Sequence, residues 1–270
     1  MMTDHMNLSR SALQATLACL VTLLLTVPLH APHAGAGLDA NTRDLYGAIL
    51  EDHTRPTKDI VQTRVNYRAI KNDPRWKQVV AGLGASNPKM LRGDDETLAF
   101  WINAYNILAI DLVQNAYPVD SIKDLGSFFF PVWEAKAGTI GGRSYTLEEI
   151  EHKILRPMGE PRIHAAIVCA SVSCPPLART PFTPERINAQ LDSIVRAWLS
   201  NPEKGLLLDR DDETLNVSKI FSWFESDFEA GGGVIQFVLP HMATEDADWL
   251  REHRADIDLE YFDYAWGLNE

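Results

Sequence analysis

In Arg162-Ile-His-Ala-Ala-Ile-Val-Cys-Ala-Ser-Val-Ser-Cys-Pro-Pro176, an apolar run passes into a turn of small polar residues. The run from 163 to 169 predicts a short buried strand. His164 opens this strand, and Cys174 closes the turn just before two prolines. Junctions between a strand and a turn place reactive side chains on a rigid scaffold. Histidine and cysteine are also the minimum needed for a thiol nucleophile and its base.

The alternation of side chains along a strand places His164 and Cys169 on opposite faces. We therefore expect Cys169 to point away from His164, whereas Cys174, beyond the turn, is free to fold back toward it. Two hypotheses remain open for the cysteines. In the first, the two cysteines have only a structural role, as a disulfide or as inert thiols. In the second, Cys174 is a reactive thiolate. The two hypotheses exclude each other, because only a free thiolate acts as a nucleophile.

Residues 1–36 have the pattern of an export signal. The apolar run from 15 to 29 is short for a membrane span, and the small residues Ala34-Gly35-Ala36 predict cleavage before Gly37. The alternatives are a retained membrane anchor and, at Cys19, a poorly matching lipid-attachment site. We expect an exported, periplasmic or secreted protein that does not associate with the membrane after cleavage.

The formal charge of the 270-residue chain is −12. A chain this acidic is not expected to bind nucleic acid or an anionic membrane through bulk charge. The segment 37–270 has a length that suits one domain with a sizeable core. The expected partner is a peptide or a small molecule, and the sequence does not predict an oligomeric state.

An apolar segment from about 98 to 115 predicts a central buried helix, which acidic residues at 94–96 begin. Asn103 and Asn106 interrupt this segment and, at a spacing of three, share a face. Two hypotheses fit these buried amides. They tie down neighbouring backbone, or they face the site, where they orient a catalytic histidine or bind a substrate carbonyl.

A second helix is predicted from 147 to 155, with a capping box formed by Thr146 and Glu149. It carries Glu151, and Arg156 and Arg162 follow it. The two arginines are candidates for holding a carboxylate bidentately, and Glu151, Ser171 and Ser173 complete the candidate ligand-binding set. The histidine and acidic residues match no zinc motif, so neither a metal nor a cofactor is expected.

The rest of the chain mixes helices with short strands. We predict a helix from 183 to about 199, a hairpin over 206–217, an aromatic helix from 218 to 228 whose phenylalanine stripe is core, helices at 234–241 and 245–254, and a closing strand at 257–264. Together these elements predict an α+β single domain with a buried central helix packed on a small, mainly antiparallel sheet.

Six motifs, taken in order, resemble the signatures of the domain-of-unknown-function 547 family over residues 60 to 269. They are Phe100-Trp-Ile-Asn-Ala-Tyr-Asn106, Ile150-Glu-His-Lys-Ile-Leu-Arg156, Arg162-Ile-His164, Ser171-Val-Ser-Cys-Pro175, Phe221-Ser-Trp-Phe-Glu-Ser-Asp-Phe228 and Tyr264-Ala-Trp-Gly-Leu-Asn269. The family is grouped loosely with papain-like and transglutaminase-like thiol peptidases, and the resemblance therefore implies an α+β fold.

The chain departs from the family pattern at several positions. Val168 stands where the family often has Asn, and Ala265 and Gly267 stand where it often has Asp and Ser. Papain-like enzymes also place the nucleophilic cysteine at the start of the central helix, and here that helix has none. The resemblance thus implies either a rearranged site with Cys174 as nucleophile or the absence of thiol chemistry.

Two functions follow as expectations. The first is an exported recognition domain whose polar pocket binds a peptide or a small carboxylate through Arg156 and Arg162. The alternative is a thiol-dependent hydrolase or acyltransferase. In it Cys174 attacks a carbonyl, His164 is the base, and Asn103 or Asn106 orients the imidazole or donates to the oxyanion.

Overall fold

The structure, a computed structural model, describes residues 37–127 and 130–270. Ten α-helices are found there: α1 (Ala40–His53), α2 (Tyr67–Asn72), α3 (Pro74–Ala85), α4 (Gly93–Ala116), α5 (Ile163–Ala166), α6 (Ile187–Leu199), α7 (Lys219–Trp223), α8 (Glu225–Glu229), α9 (Gly233–Val238) and α10 (Thr244–Glu252). A π-helix spans Glu149–Leu155. The predicted signal segment and its cleavage site, 1–36, lie outside the described residues.

Seven short strands form three small sheets in the same part of the chain: β1 (Thr54–Pro56), β2 (Thr63–Val65), β3 (Lys136–Ile140), β4 (Arg143–Thr146), β5 (Leu206–Asp209), β6 (Thr214–Val217) and β7 (Asp258–Tyr261). The pairs β1–β2, β3–β4 and β5–β6 are antiparallel, and β7 joins β6 in parallel. The α+β prediction is confirmed, with the strands divided among three sheets.

The central helix α4 is buried almost all round, as its apolar sequence predicts. Asp94, Asp95 and Glu96 occupy its first turn, where carboxylates interact favourably with the positive end of the helix dipole. Side chains from 98 to 110 are all buried and belong to a single hydrophobic core. This helix is the rigid element against which the segment 163–169 packs.

The prediction of a strand from 163 to 169 is wrong. Residues 163–166 form a helical turn closed by a hydrogen bond from Ile167 N to Ile163 O (2.9 Å). The Asn106 amide then donates to Ala166 O (2.9 Å) and accepts from Val168 N (2.8 Å), so that one side chain replaces the ladder of a neighbouring strand. A short apolar run cannot by its periodicity distinguish a buried strand from a buried helical turn.

The predicted aromatic helix at 218–228 is broken into α7 and α8 at Phe224, which leaves the helical region (φ −119°, ψ 27°). Phe221 and Phe228 stay in the core, as predicted. Phe224 instead turns toward the cavity described below. The break therefore moves one ring of the stripe from the core to the site.

The segment 264–269 runs back across the turn that holds the cysteines. Val172 N donates to Gly267 O (2.8 Å), and Asn269 N donates to Ala170 O (3.1 Å). The buried side chain of Asn269 also accepts from Tyr67 OH (2.6 Å). Residues distant in sequence are thereby fixed beside the turn. No helix within 37–127 or 130–270 has both the length and the apolar character to cross a membrane.

Candidate functional site

A cavity of about 250 Å³ opens where the turn at 169–174 meets the π-helix, α7 and the segment 264–269. Its lining combines aromatic rings, carboxylates, two histidines and both cysteines: Tyr105, Pro131, Trp133, Glu134, Glu148, Glu151, His152, His164, Ile167, Cys169, Cys174, Ile220, Trp223, Phe224, Tyr264 and Trp266. Apolar walls with a few convergent polar groups are typical of small-molecule sites.

Cys169 and Cys174 are joined by a disulfide, with Cα atoms 6.3 Å apart. Of the two hypotheses for the cysteines, the structure adopts the disulfide. The expectation that Cys169 points away from His164 is wrong, since both residues line the cavity. The alternation of faces expected for a strand does not apply, because residues 163–166 form a helical turn.

The sulfur of Cys174 lies among hydrogen-bond donors. The backbone N–H of Cys169 donates to it (3.0 Å), and the hydroxyls of Tyr264 and Ser171 lie 3.2 and 3.4 Å away. The same two hydroxyls approach Cys169 Sγ at 3.1 and 3.0 Å. Donors around a sulfur stabilise negative charge on it.

His164 is buried and is held by a carboxylate. Its Nε2 lies 2.8 Å from Asp227 Oδ2, and its ring stacks on Phe224 with centroids 4.2 Å apart. Burial lowers the pKa of His164 to about 4, whereas the hydrogen bond from Arg156 lowers the pKa of Asp227 to about 2. At neutral pH, therefore, an uncharged imidazole donates Nε2–H to an ionised carboxylate.

Arg156 is engaged by the same carboxylate. Its Nε and Nη2 donate to the two oxygens of Asp227 at 2.6 and 2.7 Å, and its Nη1 lies 2.7 Å from His152 Nδ1. A bidentate pair of this kind uses the face with which a guanidinium would hold a ligand carboxylate. Arg156 therefore balances the charge of Asp227, and it does not appear in the cavity lining.

Glu151 is a carboxylate of the cavity lining whose protonation is altered by burial. Burial raises its pKa to about 7, and the hydroxyl of Tyr105, 3.3 Å from Oε2, opposes that rise. Glu148 and Glu134 also line the cavity, and Glu134 is exposed to solvent. A carboxyl group that titrates near neutrality inside a cleft is a typical feature of a functional site.

Four aromatic rings form a cluster in the cavity lining. Trp223 stacks on Trp266 with centroids 5.6 Å apart, and Tyr264 lies 4.7 and 4.6 Å from these two rings. Trp133 adds a fourth ring, 6.2 Å from Trp266. Trp223 is 44% exposed, which is high for so large an apolar side chain. The rings thus present a half-open apolar surface beside the carboxylates.

Asn103 and Asn106 do not line the cavity. Asn103 donates to Phe182 O (2.8 Å) and accepts from Phe182 N (2.9 Å). Asn106 makes the same pair of backbone hydrogen bonds to residues 166 and 168. Both amides therefore tie down neighbouring backbone, which was one of the two hypotheses. Neither contacts His164, whose imidazole is oriented by Asp227 instead.

The remaining predicted ligand-binding residues are dispersed. Arg162 pairs with Glu160 (2.5 Å) and Asp192 (2.6 Å), outside the cavity lining. Ser173 accepts from Ala265 N (2.9 Å) and so helps to hold the segment 264–269 in place. Of the predicted set, only Glu151, His164 and Cys174 line the cavity, with Ser171 just behind the sulfurs.

A buried lysine holds the cysteine turn by hydrogen bonds to backbone carbonyls. Lys204 is 1% exposed, and its Nζ donates to Cys174 O (2.6 Å), Val61 O (3.1 Å) and Val172 O (3.3 Å). Burial lowers the pKa of this amine to about 7. Its three carbonyl partners come from two separate stretches of chain, so Lys204 fixes the cysteine turn to the body of the fold.

Sequence reasoning missed Asp227, Tyr264 and Lys204 as site residues. Asp227 and Tyr264 stand inside two of the quoted motifs, so a signal for them was present, but nothing in their spacing links them to 164–174. Lys204 has the appearance of an ordinary solvated lysine beside Pro202 and Glu203. Its role follows only from tertiary contacts.

Residues 88–199 match the model of the family described as "Protein of unknown function, DUF547", and this match supports assignment of the chain to that family. The match confirms the resemblance drawn from the motifs. It covers α4, the hairpin β3–β4, both cysteines and His164. Asp227 and Tyr264 lie beyond it. No curated protein and no solved structure matches the chain.

Proposed function

We propose that the cavity is a recognition site for a small molecule or peptide end that carries an amine beside an apolar or aromatic group. The observation that carries this proposal is the lining itself. Glu134, Glu148 and Glu151 share the cavity with tryptophan and tyrosine rings. Carboxylates and the faces of aromatic rings both attract cations.

The charges around the cavity favour an amine over the carboxylate ligand that the sequence suggested. Arg156 is held bidentately by Asp227, and Arg162 is engaged by Glu160 and Asp192 away from the lining. A ligand carboxylate would meet the glutamates without a guanidinium to offset them. Export of the protein remains a proposal that rests on residues 1–36 alone.

Three probes of similar shape test the charge preference: phenethylamine, 2-phenylethanol and phenylacetate. Since three tryptophans line the cavity, binding is followed by intrinsic fluorescence. We expect the amine to bind most tightly and phenylacetate least. We also expect the affinity for the amine to rise with pH through about 7, because Glu151 ionises there.

The Glu151→Gln variant should lose this pH dependence, whereas Glu252→Gln, at an exposed position in α10, should keep it. Preferential binding of phenylacetate would contradict the amine proposal. A pH dependence that is unchanged in Glu151→Gln would remove Glu151 from the site.

A second candidate function is thiol-dependent acyl transfer or hydrolysis by the reduced protein. The donors around Cys174 Sγ favour it, because they would stabilise a thiolate. His164 would be the base through Nδ1, since Asp227 engages Nε2. Dithiothreitol-treated protein should then release a burst of nitrophenolate from p-nitrophenyl acetate, and Cys174→Ser should abolish the burst. The absence of a burst from reduced protein would refute this candidate.

A further inference from the structure

We propose that the Cys169–Cys174 disulfide is a redox-active pair that exchanges with small aliphatic thiols, with attack at Cys169 and release of Cys174. Thiol–disulfide exchange is a separate activity from ligand recognition, and it does not depend on the charge preference of the cavity. It rests on three features of the turn: access to one sulfur, stabilisation of the other, and the backbone conformation between them.

The two sulfurs differ in access. Cys174 is 3% exposed, whereas Cys169 is half-buried, and both line the cavity of about 250 Å³. A cavity of this size admits a small thiol but not a folded protein. An incoming thiolate therefore reaches Cys169 Sγ more readily, and access is one of the factors that decide which sulfur is attacked.

The two sulfurs also differ as leaving groups. The Tyr264 and Ser171 hydroxyls lie within reach of both sulfurs, but Cys174 Sγ also accepts from the backbone N–H of Cys169 at 3.0 Å. A backbone amide cannot rotate away, so at least this donor is already in place when negative charge forms. Donors to the charged form lower the pKa of a thiol, and a thiol of lower pKa leaves faster.

The backbone between the cysteines is held in an unusual conformation. Ala170 has φ 61°, in the left-handed region that is unfavourable for a residue with a Cβ. This turn directs the N–H of Cys169 onto Cys174 Sγ. Asn269 N holds it by donating to Ala170 O (3.1 Å), and Lys204 holds Cys174 O. Backbone outliers retained by surrounding contacts are concentrated at functional sites.

The exchange is balanced in two steps. A thiolate RS⁻ attacks Cys169 Sγ, forming a mixed disulfide, while the bond to Cys174 Sγ breaks and its electron pair leaves with Cys174 as the thiolate. A second thiol then attacks the mixed disulfide, releasing RSSR and the thiolate of Cys169. The protein disulfide is reduced to two thiols, and two RSH are oxidised to RSSR.

The test uses the folded wild-type protein and 2-mercaptoethanol, an uncharged thiol. The reaction is quenched at short times with N-ethylmaleimide, and the adducts are mapped by peptide mass spectrometry. We expect mercaptoethanol on Cys169 and maleimide on Cys174. Reduction that occurs only in denaturant, or the opposite distribution of adducts, would overturn the proposal.

A variant pair tests the leaving-group argument. Tyr264→Phe removes a hydroxyl that lies 3.2 Å from Cys174 Sγ and 3.1 Å from Cys169 Sγ, and Tyr261→Phe, in β7, makes the same change outside the cavity lining. We expect reduction of the Tyr264→Phe protein to slow about threefold, because the pKa of the leaving thiol rises, with no change for Tyr261→Phe. Equal rates in both variants and the wild type would refute the role assigned to the donors.

Discussion

His164 and Asp227 form a hydrogen bond of 2.8 Å in which an uncharged, buried imidazole donates to an ionised carboxylate. The charge of Asp227 is balanced by Arg156, not by the histidine. The imidazole therefore has a fixed orientation without carrying charge, and it stacks on Phe224 at the edge of the cavity.

The first prediction concerns the titration of His164. Burial lowers its pKa from 6.5 to about 4 in the folded protein, so between these values the unfolded chain binds more protons. The free energy of unfolding should therefore fall as the pH falls through this window, by at most about 3 kcal/mol from this residue. Histidine ¹⁵N NMR should show the imidazole neutral at pH 5.5, and His164→Gln should identify its resonance. A midpoint near 6.5 would contradict the prediction.

The second prediction concerns Glu151, whose shift has the opposite sign. Burial raises its pKa from 4.5 to about 7, so the native state binds more protons in this window and stability falls as the pH rises through it. Glu151→Gln keeps an acceptor for Tyr105 without the charge. Urea unfolding should show the variant more stable than wild type at pH 8, by up to about 3 kcal/mol, and nearly equal at pH 4.5.

Glu252→Gln, an exposed counterpart, should differ little from wild type at either pH. An equal effect of Glu151→Gln at both pH values would mean that the carboxyl group of Glu151 is not perturbed by burial.

The sequence predicted the elements whose signals are local. The apolar run and acidic start of α4 and the hairpin β5–β6 are both where the patterns indicated. The segment 163–169 was mispredicted because its hydrogen bonds are made by Asn106, a side chain about sixty residues away. Asp227 and Tyr264 reach the site only through tertiary packing, which no local pattern encodes.

The third prediction concerns Asn106. Asn106→Ala leaves Ala166 O and Val168 N buried without their partner, at a cost of about 1–3 kcal/mol for each group. We expect the free energy of unfolding to drop by about 2–6 kcal/mol in urea titrations. Asn115→Ala, at an exposed position on the same helix, should cost less than about 0.5 kcal/mol. Similar losses for the two variants would contradict the bridging role.

Asn106→Asp provides a finer comparison. A carboxylate still accepts from Val168 N but cannot donate to Ala166 O. Its effect therefore shows whether the donor half of the bridge matters.

The fourth prediction concerns the disulfide. The loop between Cys169 and Cys174 is short, so the cross-link should contribute near the low end of the usual range, about 2 kcal/mol. Cys169→Ser and Cys174→Ser should lower the melting temperature by similar amounts, and the double variant should cost little more than either. Reductant should lower the melting temperature of the wild-type protein and leave those of the three variants unchanged. Unequal single effects that reductant does not alter would exclude a stabilising disulfide.

Lys204 gives the protein a chemical reporter of its own motion. Its amine is enclosed beneath the cysteine turn, where acylating reagents cannot reach it unless the turn lifts away. The rate at which acetic anhydride modifies Lys204 in the folded protein, divided by the rate for the free amine, therefore measures how often the cysteine turn opens. The ratio of the values for the oxidised and reduced protein would give the free energy by which the disulfide keeps the cysteine turn closed.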